Sequence, residues 1–514
     1  MKRRDFLKFA SATGAMKAMP VGLSMGALAQ QAFASSPNYS QLNVVRPNVM
    51  PQVINIFMYG GASELAGNLT NIADINMNSV NDYSANSAFR SSILQAATDN
   101  DPNNRTRFQD GQITANGFWK EAGGTYMENM LAAGDMTVYR TIYKQKSPTR
   151  SHRESIFMSH KGTIDIENSP GVGSRLALMM LEHKSTFAGA SLADGSTVID
   201  VESLTLPFVS FEGDTQTYAL DPLNPVPLPL RGLTMDQSFN NPYSRSEGYP
   251  SSGSSQVIED LVASRLQGIE ATQSGRAKFQ KAWDAFDKRV DMATRMADLG
   301  TLLGEGGSAA TLGVTYPNTS FGRQLEAAVT LAIHNPETLY IAVGTPGLGG
   351  WDDHNNGIDR YPNRMNQLME AISAAMDHIN AAAAQGVSTI KQTNRTQTDN
   401  IVINVMGDFG RLVNLNNSGG WDHANNQNLY TFGGAGVRPA VESAQLGQVV
   451  GTTMRSGRSK TNNQYTVPTT DSVSFEPMAL ASSIYTYFGA SNSHIMTADP
   501  TLNPDGDLPL MRNE

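Results

Sequence analysis

Val53-Ile54-Asn55-Ile56-Phe57-Met58-Tyr59-Gly60-Gly61 is a short apolar run closed by two glycines. Its β-branched and aromatic residues, followed by a turn signal, predict a buried strand feeding a tight loop. Three more runs downstream read the same way: 136–142, 338–343 ending at Gly344, and 400–406 ending at Gly407. Between them lie segments with helical spacing, at 119–133, 151–161, 172–182, 321–333 and 363–384. A longer helical pattern over 255–299 divides into two helices, and a last helix over 475–488 is stopped by Gly489. Strands alternating with helices predict an α/β fold. Two segments break the alternation. Residues 71–116 are rich in Asn, Asp and Ser and read as loop. Residues 203–252 lack periodicity and include a Pro-dense run at 221–229, so they read as an irregular insertion or cap.

The composition narrows the function. The chain has 514 residues, long enough to bury a large core, and no Cys. Disulfides, thiolate metal sites and cysteine nucleophiles are therefore excluded, and any metal must be held by His, Asp, Glu, Asn or hydroxyl groups. The net charge is -9, without a basic stripe, which argues against a nucleic-acid partner. Mean hydropathy is -0.31, and no apolar run reaches the ~18 residues of a spanning helix.

The first 34 residues read as an address. Met1-Lys2-Arg3-Arg4-Asp5-Phe6-Leu7-Lys8 resembles a twin-arginine export signal, and Ala32-Phe33-Ala34 is a small-x-small cleavage site. The expectation is a signal peptide over 1–34, recognised by the twin-arginine translocase during export, and a single periplasmic or otherwise exported domain over 35–514.

In α/β proteins the loops after the strand ends carry the chemistry. Here these are 60–68, 344–356 and 407–423, and the unusual residues collect in them. Gly350-Trp351-Asp352-Asp353-His354 is echoed by Gly420-Trp421-Asp422-His423. Carboxylate beside imidazole in a Gly-rich loop suits Zn, Mn or Fe. The bland alternative is an Asp that caps a turn and a His that bonds a carbonyl. A third option is Ca held by Asp352, Asp353, Asn355 and Asn356. Between the two segments, the run 402–407 delivers Asp408 from a strand end, followed by Phe409, Gly410 and Arg411. Arg150-Ser151-His152 opens the helix at 151–161. Ser151 there is either a plain N-cap or a nucleophile in the positive field of the helix end, with Arg150 or Arg153 holding an oxyanion. His160 lies near the same helix face, as a ligand or simply packed.

These landmarks, in this order, together with Gly60-Gly61-Ala62-Ser63 and the leader, resemble the exported family of unknown function numbered 1501. That family is placed near the alkaline phosphatase and sulfatase superfamily. The resemblance implies a central, mostly parallel sheet flanked by helices, with a metal site at the C-terminal strand edge. It implies Ser151 as nucleophile, with Thr149 second, and Asp352, His354, Asp408 and His423 as metal ligands. Two positions depart from the pattern. Phe409 replaces an expected His, and Ser63 and Glu64, with Asn68 nearby, stand where many relatives carry an Asp.

The resulting expectation is an exported, metal-dependent hydrolase acting on a small phosphate or sulfate ester. Ser151 and Arg150 are its catalytic residues, and Ser63, Glu64, His152, Trp351, Asp353, Arg411, Trp421 and Asp422 line its pocket. The alternative is a non-catalytic binding or assembly protein on the same fold that engages an envelope component.

Overall fold

The computed structural model describes residues 37–63, 114–221 (196 aside), 224–239, scattered positions between 257 and 292, and 294–390. It further describes 394–412, 418, 420–433, 437–439, 447–455 and 465–513. The leader, the loop at 71–116 up to residue 113, most of the helical pattern at 255–299, Glu64 and Asn68 lie outside the described residues.

One sheet organises the chain. Its strands are β1 (Gln52–Met58), β2 (Met136–Tyr143), β3 (Phe208–Ser210), β4 (Leu233–Thr234), β5 (Tyr340–Val343) and β6 (Ile401–Gly407). A small antiparallel ribbon follows, β7 (Gly410–Arg411) with β8 (His423–Ala424). Then β9 (Asn426–Gly433) and β10 (Val449–Val450) return to the sheet. The sheet has eight strands in the order β10-β2-β9-β6-β1-β5-β3-β4. All neighbours are parallel except β9, which runs antiparallel to both β2 and β6.

The near-continuous apolar runs read from the sequence have a simple cause: both faces of the sheet are covered. Side chains alternate between faces along a strand. Ile54, Ile56, Ile341, Val343, Ile403 and Val405 point into one core, with α1 (Gly124–Ala133), α4 (Ser320–His334) and α5 (Gly357–Gln385). Val53, Tyr340, Ala342, Val402 and Met406 point into the other, with α3 (Val172–Glu182) and α6 (Ala479–Tyr487). A further helix, α2 (His152–Lys161), follows β2. Among the described residues no helix is long and apolar enough to cross a membrane.

The structure departs from the sequence reading in four places. Residues 203–252, read as irregular, supply β3 and the edge strand β4 from their described part. β9 is a central strand that the sequence does not announce, because it opens on Asn426-Gln427-Asn428, three amides that are nonetheless fully buried. The helix read as starting at 363, after Pro362, begins instead at Gly357 and carries Pro362 inside it. Tertiary packing overrides the proline there: Tyr361 lies between Trp351 and Trp421, at ring separations of 6.4 and 6.0 Å. The last helix starts at Ala479 rather than 475, because Phe475 bridges to Ile142 at the end of β2.

Gly60 shows how closely the strand-end loops approach. Its φ is +119°, and a Cβ there would lie 2.5 Å from the Asp352 nitrogen. Gly60→Ala is expected to cost roughly 1–3 kcal/mol, from the left-handed backbone and the clash together. Urea unfolding will show this as a lower midpoint at unchanged slope, and an unchanged midpoint would refute it.

Candidate metal centre

Three loops meet at the C-terminal ends of β1, β5 and β6. The backbone of β1 continues into Gly60, whose N–H donates to Asp408 Oδ1 at 3.0 Å, and the Tyr59 carbonyl accepts from the Trp351 N–H at 2.9 Å. Arg411, on β7, joins all three loops. Its Nε donates to Gly61 O at 2.8 Å, Nη2 to Gly60 O at 2.6 Å and to Asp352, and Nη1 to Trp421 O at 2.7 Å. Nη1 also faces His354 Nε2 at 3.4 Å. The guanidinium is fully buried, and its five N–H groups are all committed to the protein.

Asp352 is the hub of the cluster. Its Oδ1 lies 3.2 Å from His354 Nε2, 3.5 Å from His423 Nε2 and 3.6 Å from His152 Nε2. His354 Nε2 and His423 Nε2 are 2.9 Å apart. The other nitrogen of each ring faces a fixed acceptor. His152 Nδ1 meets Asp408 Oδ2 at 2.6 Å, His354 Nδ1 meets Asp422 Oδ1 at 3.1 Å, and His423 Nδ1 meets the Arg150 carbonyl at 3.0 Å. A carboxylate or carbonyl offers no proton, so each ring keeps its proton on Nδ1 and, when neutral, turns a lone pair at Nε2 toward Asp352.

The distances around Asp352 Oδ1 are close to those between ligands that share one metal ion. Ligand atoms about 2.0–2.2 Å from a common Zn²⁺ must stand roughly 3.0–3.5 Å from one another. His152, Asp352 and His423 form a group able to hold a metal, with one atom of each mutually within 4.8 Å. His354 stands at its side. The Asp352 side chain is 47% exposed, so the cluster opens to solvent.

The local electrostatics follow from these contacts. The hydrogen bond to Asp408 raises the pKa of His152 above the ordinary histidine value, against the opposing effect of burial. Burial lowers that of His423, and Arg411, His152 and His354 lower it further. Burial alone would raise the Asp352 carboxyl, but Arg411 and the neighbouring imidazoles bring it below the usual range.

The structure sorts the residues expected from the sequence. It brings together Asp352, His354 and His423, and adds His152, which the sequence reading had placed only in the pocket. Asp408, expected as a ligand, is fully buried and orients His152 instead. Asp422 does the same for His354. Arg150 contributes its carbonyl. Ser151 is the N-cap of α2, its hydroxyl accepting from the Glu154 N–H at 3.5 Å. Asp353 is turned away and fully buried, between Arg364 at 2.9 Å and Arg360 at 3.2 Å, which removes it from an oxygen-rich Ca set. Trp351 and Trp421 are fully buried against Tyr361; they brace the loops from within rather than facing solvent as pocket walls. Ser63 is buried, with no partner for its hydroxyl among the described residues. His160 is packed away from the cluster, bonded to Thr215 and Thr217 at 2.8 Å, and burial pushes its pKa down to about 3.

The chain belongs to the DUF1501 family. The model of this family, described as a protein of unknown function, matches residues 50–488. Every residue of the centre lies inside that span. A comparison with curated proteins gives no match.

One residue of this DUF1501 chain beside the centre carries no sequence signal. Lys144 follows β2, is almost fully buried, and donates to Ser155 Oγ at 2.6 Å and Thr149 O at 3.3 Å. Its ammonium lies 5.1 Å from the centre of the Phe409 ring. Burial pushes its pKa down to about 7, although Asp408, Glu476 and Glu154 pull it up. The unfolded chain keeps this proton up to about 10.5, so unfolding takes up a proton between the two values. The contribution of Lys144 to stability is therefore most favourable above about 10.5 and is lost as pH falls through about 7. In Lys144→Met the Lys144 contribution disappears. The difference in unfolding free energy between wild type and variant, measured from pH 6 to 10 (about the range of the shift), should rise with pH; a flat difference would refute the assignment.

Proposed function

We propose that this protein is an exported, metal-dependent hydrolase acting on a small phosphate or sulfate ester. One observation carries the proposal: three imidazoles with Nδ1 committed to fixed acceptors aim Nε2 at one carboxylate oxygen, at the open edge of a mostly parallel sheet. Such outer partners fix the tautomer and the direction of metal-ligating histidines. Three nitrogens and one carboxylate suit Zn, Mn or Fe, whereas Ca calls for more oxygens than the cluster offers. A divalent ion held there supplies Lewis acidity toward an ester oxygen and makes a nearby hydroxyl or water a stronger nucleophile. Ser151, at the N-terminus of α2, is the hydroxyl we assign to attack, with the Arg150 side chain available to an anionic substrate. The parallel sheet with its polar residues at the strand ends supports placement near the alkaline phosphatase and sulfatase superfamily. The Arg3-Arg4 pair and the Ala32-Phe33-Ala34 site support export through the twin-arginine route.

Phe409 favours a second reading. Its ring lies 4.6 Å from that of His152 and 4.3 Å from that of His423, where a further ligand would otherwise approach. On this reading the centre binds a metal without turnover, and the protein is an exported binding or assembly component of the envelope.

Metal content tests what the two readings share, and turnover decides between them. Protein purified without chelator should carry about one Zn, Mn or Fe per chain, and a His152→Ala, His423→Ala double variant should lose it. Hydrolysis of an aryl phosphate or aryl sulfate, abolished by Ser151→Ala, would support the hydrolase. Bound metal with no turnover across the ester screen would favour the second reading. No metal in the wild type would overturn both.

A further inference from the structure

The eight residues between β2 and α2 present two groups of the centre, their own Arg150 carbonyl and His152, the first residue of α2, yet they form no helix or strand. Side chains hold them in place. Two of these anchors are local: Lys144 on Thr149 and Ser155, and the Thr149 hydroxyl, which donates to Glu154 and accepts from the Ser151 N–H at 3.1 Å. A third reaches Glu476, whose Oε1 accepts the N–H groups of Gln145 and Lys146, both at 2.9 Å.

The fourth anchor lies beyond the family match. Lys146 Nζ donates to Asn503 Oδ1 at 2.6 Å and Asp507 Oδ1 at 2.7 Å, with Gly506 O at 3.4 Å. Asn503 and Asp507 are buried, and Asn503 Nδ2 donates to Asp507 Oδ2 at 2.7 Å, so the acceptors are fixed before the ammonium reaches them. Their loop is itself pinned. Asp499 and Asn503 exchange backbone hydrogen bonds at 2.7 and 2.9 Å, the Asp507 N–H donates to Thr497 Oγ1 at 2.7 Å, and the Asp507 carbonyl accepts from Ser482 on α6. Three residues on, Leu510 is fully buried and its N–H donates to Ser483 Oγ at 2.9 Å. A charge-assisted contact to a buried carboxylate in a rigid loop is the kind that sets geometry rather than decorating a surface.

We infer that residues 499–507, outside the family match, position the metal centre through Lys146. Lys146 is a positioning residue: it touches none of the cluster, and acts by fixing the strap that presents the Arg150 carbonyl to His423 and His152 to Asp408. The inference rests on the metal reading for its consequence, but its structural half stands apart from it.

The test uses the full mature chain with Lys146→Met, which keeps the stem and removes the ammonium, and Lys146→Arg, which keeps the charge. Amide hydrogen exchange of peptides covering 147–153 is measured first, without metal. It should speed up about tenfold or more in Lys146→Met, while peptides from β1 and β6 stay unchanged, and Lys146→Arg should largely restore protection. Zn²⁺ affinity, measured by competition with a chromogenic chelator, should fall about tenfold or more in Lys146→Met and recover in Lys146→Arg. Unchanged exchange over 147–153 would overturn the inference whether or not the protein binds Zn²⁺. Faster exchange with unchanged Zn²⁺ affinity would overturn it too, showing a strap that does not set the centre. A wild type that binds no Zn²⁺ would remove the metal reading, and exchange would then decide the clamp alone. If Lys146→Met does not fold, Asp507→Asn carries the same two measurements.

Discussion

The Arg411 guanidinium is the contact on which the rest of the centre depends. It bonds two carbonyls after β1, one carbonyl before β8 and the carboxylate of Asp352. Three loops far apart in sequence are thereby held at one point. The charge is fully buried, and a buried guanidinium is tolerable only when its donors are all met. Here they are, so the arrangement is all-or-none: a loop that left its place would strand donors with no water to take them. Gly60 and Gly61 make the approach possible, since a side chain on either would collide with the loops they meet.

The same contact sets the charge balance. Arg411 keeps Asp352 ionised and, with burial and the other imidazoles, disfavours a proton on His423, while Asp408 favours one on His152. A cation entering the cluster meets three imidazoles and one carboxylate, whose charge it shares with Arg411. Lys144 and Phe409 are buried beside the site, the ring in contact with the lysine and with two of the histidines. The centre is thus polar where it faces solvent and tightly packed behind.

Much of the fold is legible in the sequence, for a physical reason. Strands buried on both faces must be apolar throughout, so β1, β5 and β6 stand out as runs, and Gly60 and Gly407 mark where they stop. Helices with one buried stripe stand out by spacing. β9 is invisible because its first three residues are amides that the sheet buries, and the first turn of α5 is invisible because Pro362 speaks against it locally. Asp352, His354 and His423 are legible as a repeated Trp-Asp-x-His or Trp-Asp-His segment. His152 as a member of the cluster is not, because nothing local distinguishes it from a polar residue in the first turn of a helix.

Local spacing and composition are enough for an α/β fold, for polar strand-end loops, and for donors limited to oxygen and nitrogen. Which of those donors converge depends on contacts between segments far apart in the chain. His152 meets Asp408 across 256 residues, and His423 meets the Arg150 carbonyl across 273. Those pairings select the tautomer of each ring, and hence the nitrogen that faces Asp352. Asp408 thereby faces His152 Nδ1 as an orienting partner, while Arg364 and Arg360 hold Asp353 out of the cluster. Sequence spacing encodes local periodicity, but the direction of a side chain at a strand end is set by whatever the opposite loops bring to it.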